Sequence, residues 1–162
     1  MIFECVKRDR SKILYVINNA AMKYKGVIPD NCWHEPYMSE RELVSEFADG
    51  VRMFGYYLNN KLIAVIGIQK IKDVNLIRHA YTLTSYQGKG TGKTLLNYLL
   101  KRNKNSRLLV GTWQKATWAI RFYEKLGFVL LPKSKSTQLL KKYWKLSLKQ
   151  IENSVVLERR AR

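Results

Sequence analysis

A glycine-rich loop, QGKGTGK at residues 87–93, constrains this chain more than any other feature. It follows an apolar, β-branched run at residues 76–83 and precedes an amphipathic run that begins at Leu95. Glycines allow the backbone to approach a ligand closely, and the amides at the start of a helix bind anions. A strand, a glycine-rich loop and a helix in this order therefore predict a phosphate-binding site.

The spacing of the glycines discriminates among three kinds of phosphate-binding loop. A P-loop requires glycine at position 87, where this chain has Gln87, and no apolar strand ending in Asp is available for magnesium. A dinucleotide fingerprint requires glycine at position 93 or 95, and those positions are Lys93 and Leu95. The pattern Q/R-x-x-G-x-G/A is matched fully by residues 87–92 and predicts a pyrophosphate bound by main-chain amides. A glycine-rich turn without a ligand is the alternative.

Length and composition predict one globular domain over residues 1–162. Hydrophobic residues make up 46% of the chain and charged residues 26%, which excludes a disordered protein. No apolar run reaches the length of a membrane span, and the N-terminus does not have the pattern of a signal peptide. Cys5 and Cys32 form neither a disulfide framework nor a zinc pattern. We therefore expect a protein of the reducing cytoplasm without a metal and without a membrane partner.

The formal net charge of +18 has two interpretations. It indicates either a polyanionic partner, such as nucleic acid, or a lysine-rich surface that only favours solubility. The exposed aromatic residues that would support nucleic-acid binding are expected to be Trp113, Trp118, Tyr143 and Trp144. The sequence contains no recognised nucleic-acid-binding motif.

The order of elements predicts a mixed α+β fold. Helical spacing and a capping box at Ser39 and Glu42 indicate two early helices, and the Asn59-Asn60 pair indicates a hairpin. A strand, helix, strand, helix and strand follow, with a closing strand at residues 150–158. This order favours a mostly antiparallel central sheet with one βαβ-like unit and helices on both faces.

Two motifs, in the correct order, resemble those of the GNAT superfamily of acyl-CoA N-acetyltransferases. The first is LIRHAYTLTSYQGKGTGKTLL at residues 76–96, and the second is WAIRFYEKLGFVLL at residues 118–131, which resembles A-x-x-F-Y-x-x-x-G-F. The resemblance covers nearly the whole chain and extends to a group of uncharacterised bacterial and archaeal members. It implies a single-domain fold whose sheet splays at the cofactor site, acetyl-CoA as cosubstrate, and transfer of an acetyl group to an amine. The family often has Asn at the position of Ala116, and alanine has no polar side chain with which to make that contact.

The resemblance also implies which residues bind the cofactor. Backbone groups of Tyr81, Thr82 and Leu83 are expected along the pantetheine arm of acetyl-CoA. The pyrophosphate is expected on the main-chain amides of the loop, which consists of Gln87, Gly88, Lys89, Gly90, Thr91, Gly92 and Lys93. Tyr123 matches the family's general acid, which protonates the departing thiolate.

The sequence constrains the residues that bind the amine acceptor less than those that bind the cofactor. Arg78 and His79 are adjacent on a strand and should point to opposite faces. Counting back from the loop in register with better-known members favours Arg78 as the residue that faces the cleft. A β-bulge would place His79 there instead, and His79 is a candidate for the general base. The aromatic loop resembles the family's acceptor-binding loop, which makes Trp33, His34, Glu35 and Tyr37 candidates for substrate binding.

The expected reaction is direct attack by a neutral amine on the thioester within a ternary complex, with the oxyanion held by a backbone amide of the splayed strand. The acceptor remains open among small amines, protein N-termini and lysine side chains, and the basic composition weighs against polyamines. Two alternatives to this function are a basic nucleic-acid- or ribosome-associated module and a non-catalytic relative that binds coenzyme A. A monomer and a homodimer are both compatible with the sequence.

Overall fold

A seven-stranded sheet runs through the molecule in the order β1-β2-β3-β4-β5-β7-β6, in a computed structural model that describes residues 1–161. The strands are β1 Ile2–Glu4, β2 Arg52–Leu58, β3 Lys61–Ile71, β4 Val74–Thr82, β5 Leu108–Trp113, β6 Val129–Leu130 and β7 Ser154–Arg159. The helices are α1 Arg10–Ala21, α2 Glu40–Ala48, α3 Thr91–Arg102, α4 Thr117–Glu124, α5 Lys133–Tyr143 and α6 Leu148–Glu152. Single 3-10 turns lie at Lys7–Asp9, Met22–Tyr24, Asp30–Cys32 and Thr84–Tyr86.

Helices cover both faces of the sheet because its strands are apolar on both sides. In β3, Ala64, Ile66 and Ile68 pack under α3 and α4, whereas Ile63 and Val65 pack under α1 and α2. On the same face as α1 and α2, the helices α5 and α6 cover β4, β5 and β7. The predicted mixed fold, with a mostly antiparallel sheet and helices on both faces, is therefore confirmed.

The sheet opens between β4 and β5, the one parallel pair among the described strands. Pairing joins Asn75 to Leu108, Leu76 to Leu109 and Ile77 to Val110, and then stops. β4 continues to Thr82, while β5 continues to Trp113 as a partner of β7. The two strands thus separate beyond Ile77 and leave a gap within the sheet.

A β-bulge lies in β4 just where this gap begins. Val65 pairs with Tyr81 and Gly67 with Arg78, so that His79 and Ala80 together oppose Ile66. His79 has a φ of +52°, a conformation that is uncommon for a residue with a side chain. On the neighbouring strand, a Cβ at Gly67 would lie 3.0 Å from the carbonyl oxygen of Arg78 and 2.8 Å from the sulfur of Met53. The bulge therefore fits only against a glycine.

The C-terminal region differs from the sequence prediction in one respect. Residues 150–152 belong to α6 and not to the closing strand, which begins at Ser154. The cause is a capping box in which the Ser147 hydroxyl accepts from the Gln150 amide and the Gln150 side chain accepts from the Ser147 amide. β7 is also an interior strand, since it pairs with β5 on one side and β6 on the other. Among the described residues, no helix has both the length and the apolar character needed to cross a membrane.

Candidate active site

The glycine-rich loop ends in the first turn of α3. Gly88 and Gly90 have φ values of +76° and +81°, and a Cβ built at either position would meet nothing within 4 Å. The Gln87 side chain donates to the Thr82 carbonyl at 2.9 Å, which fastens the loop to the end of β4. The first-turn amides of α3 have no intrahelical acceptor, and no acidic side chain lies in that turn. This arrangement offers an anion several convergent N–H donors and room for close approach.

A cavity of about 370 Å³ leads from this loop into the gap between β4 and β5. Its walls include most of the residues predicted to bind the cofactor, namely Tyr81, Thr82, Gln87, Gly88, Gly90, Thr91, Gly92 and Lys93. Leu83 is instead buried beneath α1, and its amide donates to the Ile63 carbonyl at 2.9 Å. Lys89 lies outside the wall, with its ammonium 5.5 Å from the centre of the Tyr86 ring. Leu83 and Lys89 are thus the two members of the predicted set that do not line this cavity.

A second cavity, of about 210 Å³, opens on the other side of the same gap. Arg78, His79, Trp113, Trp144 and Gln150 are among its wall residues. Four residues belong to the walls of both cavities: Tyr24, Ala80, Tyr81 and Tyr123. The two cavities therefore meet at the point where the sheet splits.

Tyrosine side chains surround this meeting point. Tyr81 packs edge-on against both Tyr24 and Tyr37, with ring centres 6.3 Å and 6.2 Å apart. Burial raises the pKa of Tyr24 to about 12 and raises the pKa of Tyr123 further above its ordinary value. Both phenols are therefore protonated at neutral pH and can donate a hydrogen bond or a proton.

Arg78 and His79 reach the same carboxylate, so the prediction that they point to opposite faces is wrong. The Arg78 guanidinium donates to Glu46 Oε1 at 2.9 Å and to the Gln69 side chain at 2.7 Å. His79 Nε2 lies 3.1 Å from Glu46 Oε2. The bulge in β4 is the physical reason, because an extra residue interrupts the alternation of side chains.

Glu46 is ionised within this cluster. Burial alone would raise the pKa of Glu46, but the contacts with His79 and Arg78 outweigh that effect and lower it. His79 Nε2 and Glu46 Oε2 are both buried, and their contact does not have the geometry of a hydrogen bond. His79 is also a wall residue of the second cavity.

The aromatic loop contributes only part of the predicted acceptor site. Tyr37 lines the second cavity, and the Trp33 ring stacks on Tyr37 with the ring centres 5.6 Å apart. His34 and Glu35 are exposed and lie outside the wall. His34 Nδ1 lies 2.8 Å from the Pro36 carbonyl oxygen, and Glu35 pairs with Lys25 at 3.3 Å.

The family model described as acetyltransferase (GNAT) domain matches residues 18–139 of the chain. The chain belongs to the GNAT family. It is therefore an acyltransferase of the N-acetyltransferase type, and the resemblance predicted from the two motifs is confirmed.

Solved structures with the same fold include several other GNAT proteins. The PaiA N-acetyltransferase from Thermoplasma acidophilum, in complex with coenzyme A, is 18% identical, with coverage of 99% of this chain and 98% of that one and a TM-score of 0.73. The ribosomal-protein-S18-alanine N-acetyltransferase from Escherichia coli is 19% identical, with coverage of 98% and 91% and a TM-score of 0.70. A GNAT acetyltransferase from Staphylococcus aureus is 15% identical, with coverage of 100% and 99% and a TM-score of 0.74.

Several residues in or next to the cavity walls of this GNAT enzyme were not among the site residues predicted from the sequence. Glu46 lies 32 residues before Arg78, and no local motif marks it. Trp113 and Trp144 line the second cavity, Trp118 lines the first, and Tyr143 is buried with its hydroxyl donating to Asp73 at 2.7 Å. The expectation that these four aromatic residues form an exposed surface for nucleic acid is therefore wrong. Apolar rings are drawn into cavities and the core because their burial removes apolar area from water.

Three further positions bear on the chemistry of the GNAT site. Ala116 is fully buried immediately before α4 and offers no polar side chain where the family often has Asn. Cys5 packs between β1 and β2, and burial raises the pKa of its thiol to about 12. Cys32 is partly buried and lies in the wall of neither cavity. In the part of the chain that the structure describes, no three His, Cys, Asp or Glu side chains are grouped so as to hold a metal ion.

Proposed function

We propose that this chain, as a single N-acetyltransferase domain over residues 1–162, transfers the acetyl group of acetyl-CoA to a primary amine by direct attack in a ternary complex. The observation that carries the proposal is the pair of cavities on opposite sides of the β4–β5 gap, which share Tyr24, Ala80, Tyr81 and Tyr123. Two ligands that enter from the two sides meet at that gap. Acetyl-CoA, when bound, supplies a thioester whose acyl carbon is open to a neutral amine.

The first cavity has the features that a phosphate-rich carrier requires. The amides of residues 88–93 and the helix N-terminus of α3 would hold the pyrophosphate, and the ammonium of Lys93 adds positive charge at the same wall. Trp118 and Lys23 form the opposite side, with the ammonium 4.8 Å from the ring centre. The unpaired edge of β4 beyond Ile77 would offer main-chain hydrogen bonds to the pantetheine arm.

Tyr123 is the proposed proton donor to the departing thiolate. Tyr123 belongs to the wall that both cavities share, and its raised pKa keeps the proton on the phenol oxygen until charge develops nearby. Edge-on contacts with Phe122 and Phe128, whose ring centres lie 5.1 Å and 5.6 Å away, hold the ring in place.

His79 is the proposed base that removes the proton from the attacking amine. Nε2 lies 3.1 Å from Glu46 Oε2, so Nδ1 is the ring nitrogen that would accept the proton of the amine. A strained backbone at a non-glycine residue persists where the surroundings hold it, and such residues concentrate at functional sites. A nucleophilic cysteine is not required, since neither thiol lies in a cavity wall and the pKa of Cys5 is about 12.

The experiment combines binding and kinetics on the purified chain. Calorimetric titration with acetyl-CoA should give micromolar binding, while ATP with magnesium, the control, should give none. Initial rates at varied acetyl-CoA and amine should give intersecting double-reciprocal lines. Parallel lines, or an acetylated enzyme found by mass spectrometry in the absence of amine, would overturn direct attack. Binding of acetyl-CoA without turnover on a broad amine panel would identify a non-catalytic relative.

A further inference from the structure

The second cavity selects its acceptor by charge and by shape. We propose that the acceptor is a primary amine with one positive charge and an aromatic or apolar body, and not a polyamine or another polycation. This inference rests on the proposed function, because it concerns the ligand of the same transferase site. It is carried by the composition of the wall and by the partners of the charged groups around it.

No carboxylate lines the second cavity in the described part of the chain. Of the wall residues that the structure describes, Arg78 is the one with a permanent charge, and that charge is positive. Glu46, the acid that Arg78 and His79 contact, is already engaged by both of them. Lys145, between the wall residues Trp144 and Leu146, pairs with Asp49 at 3.6 Å. A second ammonium on the acceptor would therefore find no carboxylate in the cavity wall with which to pair.

Several of the remaining wall residues have large aromatic or aliphatic side chains. Tyr37, Trp113, Trp144 and Leu146 are partly buried and present ring or methyl surface to the cavity. The indole ring of Trp144 packs against Gly111, where a Cβ would lie at an ordinary contact distance of 3.4 Å. Burial of an aromatic or apolar body against these side chains is favourable, whereas the flexible chain of a polyamine remains hydrated at its charged ends.

Enough polar atoms remain to receive one ammonium and orient it. The hydroxyls of Thr112 and Tyr123, the Gln150 side chain and His79 Nδ1 border the cavity as possible acceptors. One amine can be bound and deprotonated with this set. A polycation, which needs several anionic partners, cannot be satisfied by it.

A matched set of acceptors tests the inference on the intact chain with saturating acetyl-CoA. The probes are phenethylamine, hexylamine, putrescine (the four-carbon diamine) and spermidine, each of which has a primary amine on a short chain. We expect kcat/KM for phenethylamine to exceed that for putrescine by about tenfold or more, the size of a strong aromatic contact. Equal or higher values for putrescine or spermidine would overturn the inference.

Two tryptophan variants form a matched pair for the location of the acceptor. Trp144→Ala should raise the KM for phenethylamine about tenfold and leave the KM for acetyl-CoA unchanged, because one aromatic contact is lost in the second cavity. Trp118→Ala should affect the KM for acetyl-CoA alone, since Trp118 lines the first cavity. Trp144→Phe should restore most of the loss and exclude an effect of misfolding. The reverse pattern of KM changes would overturn the inference.

A single added carboxylate should change the preference. Gln150→Glu keeps the capping box at the start of α6, because Glu accepts from the Ser147 amide as Gln does. The new charge should raise kcat/KM for putrescine relative to phenethylamine by about two- to fivefold, the size of a partly exposed ion pair. An unchanged ratio would contradict the view that missing negative charge excludes polycations.

Failure of this inference and failure of the proposed function give different results. If acetyl-CoA does not bind by calorimetry, the proposed function itself is wrong. If acetyl-CoA binds and polyamines are acetylated as well as phenethylamine or better, the transferase site stands and only the acceptor class is overturned. If acetyl-CoA binds and neither the four probes nor a broad amine panel is acetylated, the proposed transfer is overturned as well.

Discussion

Single residues decide the geometry at which the two cavities meet. Gly67 lets the bulge of β4 approach β3, and the bulge directs both Arg78 and His79 toward Glu46. The positive φ of His79 costs about 1–2 kcal/mol for a residue with a Cβ. Contacts made by its ring, and the pairing on both sides of the bulge, offset that cost and hold the imidazole in place.

Removal of one hydroxyl tests the proton donor. Tyr123→Phe should lower kcat on the order of 10²-fold while the dissociation constant of acetyl-CoA changes little, since a buried phenol that donates to the leaving group acts only in the chemical step. Stopped assays over an amine series, with calorimetry for the cofactor, measure the two quantities. Tyr98→Phe on α3, where Arg102 lies 3.5 Å from the ring centre, is the control. An unchanged kcat in the folded variant would assign proton donation to water or to another group.

Glu46 should make stability depend on pH in the acid range. Its pKa is lowered below the ordinary value of 4.5 in the folded state, so its stabilising contribution is present above pH 4.5 and is lost as pH falls through the folded pKa. The difference in melting temperature between the wild type and Glu46→Gln should thus be largest near neutral pH and shrink below pH 4.5. Glu40→Gln serves as the control because that side chain is 66% exposed. A difference that stays constant down to about pH 3.5 would contradict the assignment.

Among the elements, α2 connects the sequence-encoded cap to the acceptor site. The helix begins after Ser39, whose hydroxyl accepts from the Glu42 amide at 3.1 Å, and its last turn carries Glu46 to β4. The capping box, which can be recognised in the sequence, therefore helps to position the contact between Glu46 and Arg78, which cannot be recognised there.

Loss of the Ser39 cap should weaken α2 and thereby disturb the position of Glu46 beside the second cavity. Ser39→Ala should lower stability by about 1 kcal/mol, and the melting temperature by about 2–4 °C, because a first-turn amide loses its acceptor. We also expect a rise in the KM for the amine without a change in the KM for acetyl-CoA, because acetyl-CoA is proposed to bind on the other side of the gap. Ser39→Asp retains a capping oxygen and should behave as the wild type. A parallel rise in both KM values would indicate a general loss of structure.

At the scale of the whole molecule, the positive charge is unevenly distributed along the chain. Residues 1–50 contain seven basic and eight acidic residues, whereas residues 51–162 contain 23 basic and four acidic ones. Some of these cations have structural roles: the Lys133 ammonium donates to the carbonyls of Ile151, Glu152 and Ser154. Lys101, Lys104, Lys125 and Arg159 line a shallow groove between the ends of α3 and α4, and no Asp or Glu of the described chain lines it.

This groove should bind a polyanion weakly and in a salt-dependent manner. A duplex DNA of arbitrary sequence is the probe, and the slope of log K against log salt should fall in magnitude by about 2.7 when Lys101, Lys104 and Lys125 are all replaced by Ala. Replacement of Lys7, Arg8 and Lys12 by Ala, in the part of the chain where charges balance, is the matched control. Equal slopes for the two triple variants would mean that the groove is not the binding surface.

The predictions that succeeded from sequence depend on short-range rules. Helix caps such as Ser39–Glu42 depend on four consecutive residues, and β-strands can be recognised from the residue types at a few neighbouring positions. The hairpin turn at Asn59 and Asn60 adopts the positive φ values that those residues tolerate. The predicted strand at residues 150–152 failed because a second capping box, at Ser147, outweighed the apolar pattern.

The sequence by itself determined the family, the fold class and the position of the glycine-rich loop. Each follows from contiguous motifs whose physics is local: glycines at Gly88 and Gly90, the helix start at Thr91, and the aromatic signature that contains Tyr123. Only the tertiary structure decided which side chains share a cavity. Arg78 and Trp144 line the second cavity, and Glu46 pairs with Arg78. These three residues come from separate parts of the chain, and their meeting depends on a bulge and on a gap in strand pairing. Register and bulges arise from contacts between distant segments, and no window of sequence contains them.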